Sequence, residues 1–217
     1  MAGRYRYIPL RIYNFVCHKI PCLDKWHWKS WDHFLVRLLG ELGEDTGFQN
    51  PEQGIDQISH AGLEVDLLSA PMPRVVKSPF ACEKLALALE KKLYKIEHCF
   101  VPMRDLFCAA ESRRRISRIH GNLNANAVPG GIWDTDRPEE QENELTHKFY
   151  HLMLTLAQHN IPHTLLDFPR FMNDVEYLWT NISPVFPKIK KSHFCSAFHN
   201  LVRPEWIHRF EKFSIAK

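Results

Sequence analysis

Three short apolar runs, Arg74-Val-Val-Lys77, Ile96-Glu-His-Cys-Phe-Val101 and His163-Thr-Leu-Leu-Asp167, are each followed by a stretch with helical periodicity, and this alternation constrains the fold most. The first run is stopped by Ser78-Pro79 and leads into Phe80 to Tyr94, rich in Ala, Leu, Glu and Lys. The second is halted by Pro102 and leads into a helix opened by Asp105 and running to about Arg118, with the aspartate well placed for its N-terminal end. The third precedes a helix over Phe171 to Trp179. Strands separated by helices pair in parallel through crossovers, so the expected class is a three-layer α/β domain with a parallel sheet and helices on both faces. Right-handed crossovers then place ligand-binding loops at the carboxyl ends of the strands.

Further elements fit the same plan. Phe34 to Gly43 has Leu35, Leu38, Leu39 and Leu42 at helical spacing. Gly47 to Met72 reads as loop with a short helix, and Asn122 to Pro138 as loop. Glu139 to Asn160 is a long amphipathic helix with an acidic first turn, and Ser192 to Val202 a short helix in a basic, Pro-punctuated tail. A chain of 217 residues, 45% apolar and 24% charged, is that of an ordinary globular protein with one substantial core. No apolar run approaches the roughly 20 residues of a membrane span. The net charge of +3 does not argue for nucleic acid. Met1 to Lys19 carries Arg4, Arg6 and Arg11 but no apolar segment with a cleavage site, so no secretory signal is expected. Six cysteines at irregular spacing suggest reduced thiols in the cytoplasm.

Trp26, Trp28 and Trp31 crowd the place where a nucleotide-binding α/β protein would carry a glycine-rich loop. Tryptophan has a single codon, TGG, and one base later that triplet must begin a glycine codon. Read out of step, Trp26 to His33 permits Gly-Thr-Gly-Arg-Ala-Gly-Thr-Thr, running straight into the in-frame helix from Phe34. Such a loop holds phosphate because small residues let successive backbone N–H groups converge at a helix N-terminus. Residues 1–33 are therefore expected to be a degenerate, frame-shifted segment, with Met1 to Asp24 weakly packed, ahead of a single α/β domain over 34–217. An ordinary buried aromatic cluster is the plainer alternative.

The informative in-frame motif is Cys99-Phe-Val-Pro-Met-Arg-Asp-Leu-Phe-Cys-Ala-Ala-Glu-Ser-Arg113: a strand, then Arg104-Asp105, then a helix with Ser112 eight residues after the arginine. With the shifted loop, this resembles the P-loop sulfotransferase family over about Phe34 to Trp179. The resemblance implies a donor, 3′-phosphoadenylyl sulfate, whose 3′-phosphate meets Arg104 and Ser112, and whose sulfuryl group passes to an acceptor hydroxyl without a metal. Of the phosphate loop's usual cation and hydroxyl, Lys29 and Ser30 remain. It also implies that Arg74-Val-Val-Lys-Ser-Pro79 lines the acceptor side.

Competing patterns are weaker. Cys17, Cys22, His27 and His33 offer two thiolates and two imidazoles for zinc, but the interval from Cys22 to His27 is far shorter than in the usual finger. A P-loop kinase acting on a nucleotide or small molecule would need a Gly-Lys-Ser/Thr ending that the shifted loop lacks. A non-catalytic remnant without its first strand is the third alternative. The run Arg113-Arg-Arg115 with Arg118 is expected to be a solvated basic face, and Ser112 to bond back to the preceding turn if it binds nothing. Candidate bases are His60, His120, Asp134 and Asp136, none within a motif.

Overall fold

The computed structural model describes residues 9–13, 33–49, 62–69 and 71–202. Its core is a small sheet of strands β1 (Pro9–Tyr13), β2 (Val75–Lys77), β3 (Lys95–Met103) and β4 (His163–Asp167), in the order β2-β1-β3-β4, with every pair parallel. Helix α1 (Phe34–Glu41) lies between β1 and β2 in the chain, and α2 (Ala81–Glu90) between β2 and β3. Helices α3 (Leu106–Ile119) and α4 (Gln141–Gln158) join β3 to β4, and α5 (Arg170–Asn173), α6 (Val175–Ile182) and α7 (Lys191–Leu201) follow.

Neighbouring residues of a strand point to opposite faces, and the core divides accordingly. Val75, Phe100 and Leu166 enter one cluster with Leu35, Leu38 and Leu39 of α1, Leu178 and Ile182 of α6, and Phe194 and Phe198 of α7. Val76, Cys99 and Val101 enter another with Leu85 and Ala88 of α2 and Leu152 and Leu156 of α4. Helices thus cover both faces of the sheet. Each fully buried Leu or Phe contributes roughly 1.5–3 kcal/mol relative to exposure. Among the described residues, no helix is long and apolar enough to cross a membrane.

The three strands predicted from the sequence are present and parallel, and the differences have physical causes. β3 continues through Pro102 to Met103, although the sequence pattern stops it at Val101. Phe168 N–H donates to Met103 O, so odd-numbered residues of β3 face β4 and Pro102 faces β1. The pairing with β1 ends at Tyr13↔Phe100, so the missing Pro102 N–H leaves no bond of that ladder unmade. The single helix predicted over Phe171 to Trp179 is two: Asp174 takes an extended conformation and its Oδ1 accepts from Tyr177 N–H at 2.9 Å, capping α6. Between Gly47 and Met72 the described residues hold a turn and no helix, and 50–61 fall outside them. The largest departure is at the N-terminus. Within the segment expected to be degenerate, Pro9–Tyr13 forms a strand that lies between β2 and β3, and residues 1–8 and 14–32 fall outside the described ones.

Candidate functional site

From β1 the chain goes to β2 on one side, then crosses back to β3 on the other. The order reverses between β1 and β3, and in open parallel sheets ligands bind outside the carboxyl ends of strands at such a point. β3 delivers Arg104 and Asp105 there. The Arg104 guanidinium carbon lies 5.4 Å from the Phe168 ring centroid, and Phe168 shares a cluster with Phe34 and Leu35 of α1. The arginine therefore sits on the α1 side of the edge. Asp105 caps α3 as expected, its Oδ1 accepting from Cys108 N–H at 2.9 Å.

Ser112 is fully buried, and its Oγ has no hydrogen-bond partner among the described residues. The bond back to the preceding turn, expected of an idle helical serine, is not made. A buried hydroxyl left in that condition costs about 1–3 kcal/mol. Six helical steps separate Ser112 from Leu106, roughly 9 Å along the axis, a span the long Arg104 side chain has to bridge. Lys29 and Ser30 lie outside the described residues, as do His60, Cys17, Cys22 and His27.

β2 ends in Lys77, whose side chain is wholly buried. Its ammonium donates to Gly62 O at 2.8 Å and stands 3.5 Å from Glu64 Oε1. His33 Nε2 bonds to the same carbonyl at 2.9 Å, so this imidazole of the zinc pattern is engaged by backbone. Among the described residues no group of three or more His, Cys, Asp or Glu could hold a metal. Lys77 was detectable in the sequence only as a cation ending an apolar run.

The basic run on α3 is a solvated face only in part: Arg118 is exposed and Arg115 half-buried, but Arg113 and Arg114 are neither. Arg113 and Arg114 are buried because residues 122–138 fold back over α3 and present carbonyls to them. Arg113 Nη1 donates to Gly131 O at 2.7 Å, and its guanidinium lies 4.8 Å from the Trp133 ring centroid. Arg114 Nε donates to Pro138 O at 2.7 Å, and the same group pairs with Glu111 and Glu142. Ile132 N–H donates to Ser117 Oγ at 2.9 Å, and Gln141 bonds both the N–H and the carbonyl of Trp133. The loop so fixed forms, with Pro79, Phe80 and Glu83, a cavity of about 260 Å³ beside the carboxyl end of β2. A larger hollow of about 820 Å³ lies at the opposite, amino edge near Lys95–His98, away from the strand ends where such sheets bind ligands.

The candidate bases of this loop have structural partners. Asp134 pairs with Lys148 and accepts from Asn126, while Lys148 also pairs with Glu83 at 2.7 Å. Burial pushes the Asp134 carboxyl up, but the bonds from Lys148 and Asn126 outweigh it and hold the group below its ordinary value. Burial pushes Lys148 down, and its bonds to Asp134 and Glu83 hold it above the usual lysine value. Asp136 accepts from Ala125 N–H at 2.9 Å, and His120 is exposed at the end of α3. Burial pushes the Cys82 thiol up to about 12, which makes it a poor nucleophile. Comparison of the chain with protein-family models, with curated proteins and with solved structures returns no match.

Proposed function

We propose that the chain is a sulfotransferase-like protein with a three-layer P-loop architecture, taking 3′-phosphoadenylyl sulfate at the carboxyl edge between β1 and β3. The observation that carries the reading is Ser112: a buried hydroxyl without a partner among the described residues, two turns along the helix that follows Arg104. An unmet buried hydroxyl is retained against its cost where a ligand satisfies it, and a charged guanidinium on the same strand–helix unit suits a phosphate. Arg104 and Ser112 would hold the 3′-phosphate, with Lys29 and Ser30 toward the phosphosulfate. The acceptor hydroxyl would enter from the cavity beside Pro79 and Phe80. There a base takes its proton while cations and backbone N–H groups stabilise charge on the leaving phosphate. The setting is cytoplasmic. The chain as written carries tryptophans at 26, 28 and 31 where the resemblance expects small residues with converging backbone N–H groups, so donor binding would be weak and a loop-restored version would bind better. A kinase reading is less favoured, since neither frame offers Gly-Lys-Ser/Thr.

Calorimetry with adenosine 3′,5′-bisphosphate and with adenosine 5′-monophosphate tests this on both versions. A charge-assisted contact is worth about 1.5–3 kcal/mol. Arg104→Ala should therefore weaken bisphosphate binding roughly tenfold or more and leave monophosphate binding alone. Equal affinity for the two nucleotides, or indifference to Arg104→Ala in the loop-restored version, overturns the assignment.

A further inference from the structure

The cavity beside the carboxyl end of β2 has its negative charge in front and its positive charge behind. Three carboxylates line it, each from a different part of the fold. Glu64 comes from the segment that Val65 N–H ties to Lys77 O, Glu83 from the first turn of α2, and Asp134 from the loop over α3. The lysines paired with them, Lys77 and Lys148, are not part of the lining. Their side chains are 0% and 14% exposed, against 29%, 36% and 34% for Glu64, Glu83 and Asp134. Arg113, the cation on the wall, is buried and donates to Gly131 O. A ligand therefore meets the carboxylates first, because Coulomb attraction falls with distance and the lysines lie farther back. Glu64 Oε2 and Glu83 Oε2 accept no hydrogen bond among the described residues.

The rest of the wall selects the kind of cation. Phe80, 40% exposed, stands there with Val128, Ile132 and Trp133, a surface suited to carbon rather than to a hydrated ion. Among the described residues no three acidic, histidine or cysteine groups converge as a metal site would require. A volume of about 260 Å³ falls below the roughly 300–1,000 Å³ of pockets for drug-sized molecules, so the ligand has few carbons. We propose that this cavity binds a small organic ammonium ion, its charge toward Glu64 and Glu83 and its carbon groups against Phe80 and Ile132. The bonds to Arg113, Ser117 and Gln141 fix the loop beforehand, so little ordering opposes binding. The proposal stands on the cavity alone. Under the nucleotide reading, the acceptor that enters here is then an amino alcohol.

Calorimetry on the full chain with choline tests it, against 3,3-dimethyl-1-butanol, which has the same shape with carbon in place of the charged nitrogen. Choline should bind roughly tenfold or more tightly than this neutral counterpart. Glu64→Gln keeps an oxygen for Lys77 but removes the charge, so it should weaken choline roughly tenfold and leave the alcohol alone. Phe80→Ala should weaken both ligands, since it removes wall rather than charge. Far-ultraviolet dichroism checks that each variant folds, and the comparison of the two ligands on the wild type needs no variant. Arg104→Ala should leave choline binding unchanged, so a failure of the nucleotide reading shows only in the bisphosphate titration. No binding of choline, equal affinity for the two ligands, or indifference to Glu64→Gln in a folded variant overturns the proposal.

Discussion

Gly131→Ala is the most informative single perturbation of the loop that folds back over α3. A Cβ built there would stand 2.4 Å from Ser117 Oγ and 3.1 Å from both Val128 Cβ and Val128 O. The hydroxyl can escape only by rotating away from Ile132 N–H, which it accepts at 2.9 Å in a buried setting. Leaving that N–H unsatisfied costs about 1–3 kcal/mol. The methyl crowding against Val128 adds roughly 1–3 kcal/mol of overpacking. The expected loss is thus about 2–6 kcal/mol, a large part of the 5–15 kcal/mol typical of a domain. Urea unfolding measures it. Ser117→Ala should cost about 1–3 kcal/mol by itself, because it orphans the same N–H. In that background the worst contact is gone and the bond already lost, so Gly131→Ala should cost less than in the wild type by roughly 1–2 kcal/mol. Strictly additive costs would refute the account, since they would mean that methyl and hydroxyl do not compete for one space.

Ser112→Ala removes a hydroxyl with no partner among the described residues, so the ligand-free protein should be unchanged or more stable by up to about 1 kcal/mol. The same variant should lose affinity for adenosine 3′,5′-bisphosphate, and a clear loss of ligand-free stability in thermal unfolding would contradict the burial argument. The Lys148 cluster should shape the pH profile. Asp134 lies below its ordinary 3.8, so its contribution is in place above that value and is lost as pH falls through the depressed one. Lys148 lies above 10.5, so its contribution is in place below that value and is lost as pH rises through the raised one. Lys148→Met should remove the alkaline loss in urea midpoints and shrink the acid one, and an unchanged profile counts against the triad. Asp105→Ala removes a cap and should cost about 0.5–2 kcal/mol by denaturant titration.

Much of the sheet was legible because short apolar runs and their stops are local signals. Val75–Lys77 and His163–Asp167 needed nothing beyond their own side chains and the Pro or Gly nearby. Pro102 was misread because its effect depends on where β1 ends, a fact about another segment. Arg113 and Arg114 looked like solvent residues for the same reason. Their acceptors, the carbonyls of Gly131 and Pro138, are backbone groups with no mark in composition. Asp174 is an ordinary capping residue inside a helical pattern, and only the bond to Tyr177 N–H shows that it breaks the helix. Pro9–Tyr13 falls in the segment that the shifted frame over residues 1–33 marks as degenerate. Its own sequence, Leu-Arg-Ile-Tyr after a proline, is that of a strand. At the site, Arg104 and Asp105 could be placed from the strand–helix pattern, whereas the buried, unbonded state of Ser112 is a property of packing alone.

The position of β1 has a consequence for how the chain reaches its native state. Arg11 pairs with Val75 and with His98, so the first strand made joins partners that emerge roughly 60 and 90 residues later. At synthesis rates of about 5–20 residues per second, β1 waits roughly 3–12 s for its first neighbour. β2 and β3 share no ladder, so β2 joins the sheet only through β1, whereas β3 and β4 can pair without it. Nearly all β pairing here is therefore of long sequence range, which slows folding through the entropy of loop closure. The helices can form early, but the sheet they cover is completed only when β1 is captured by strands synthesised after it.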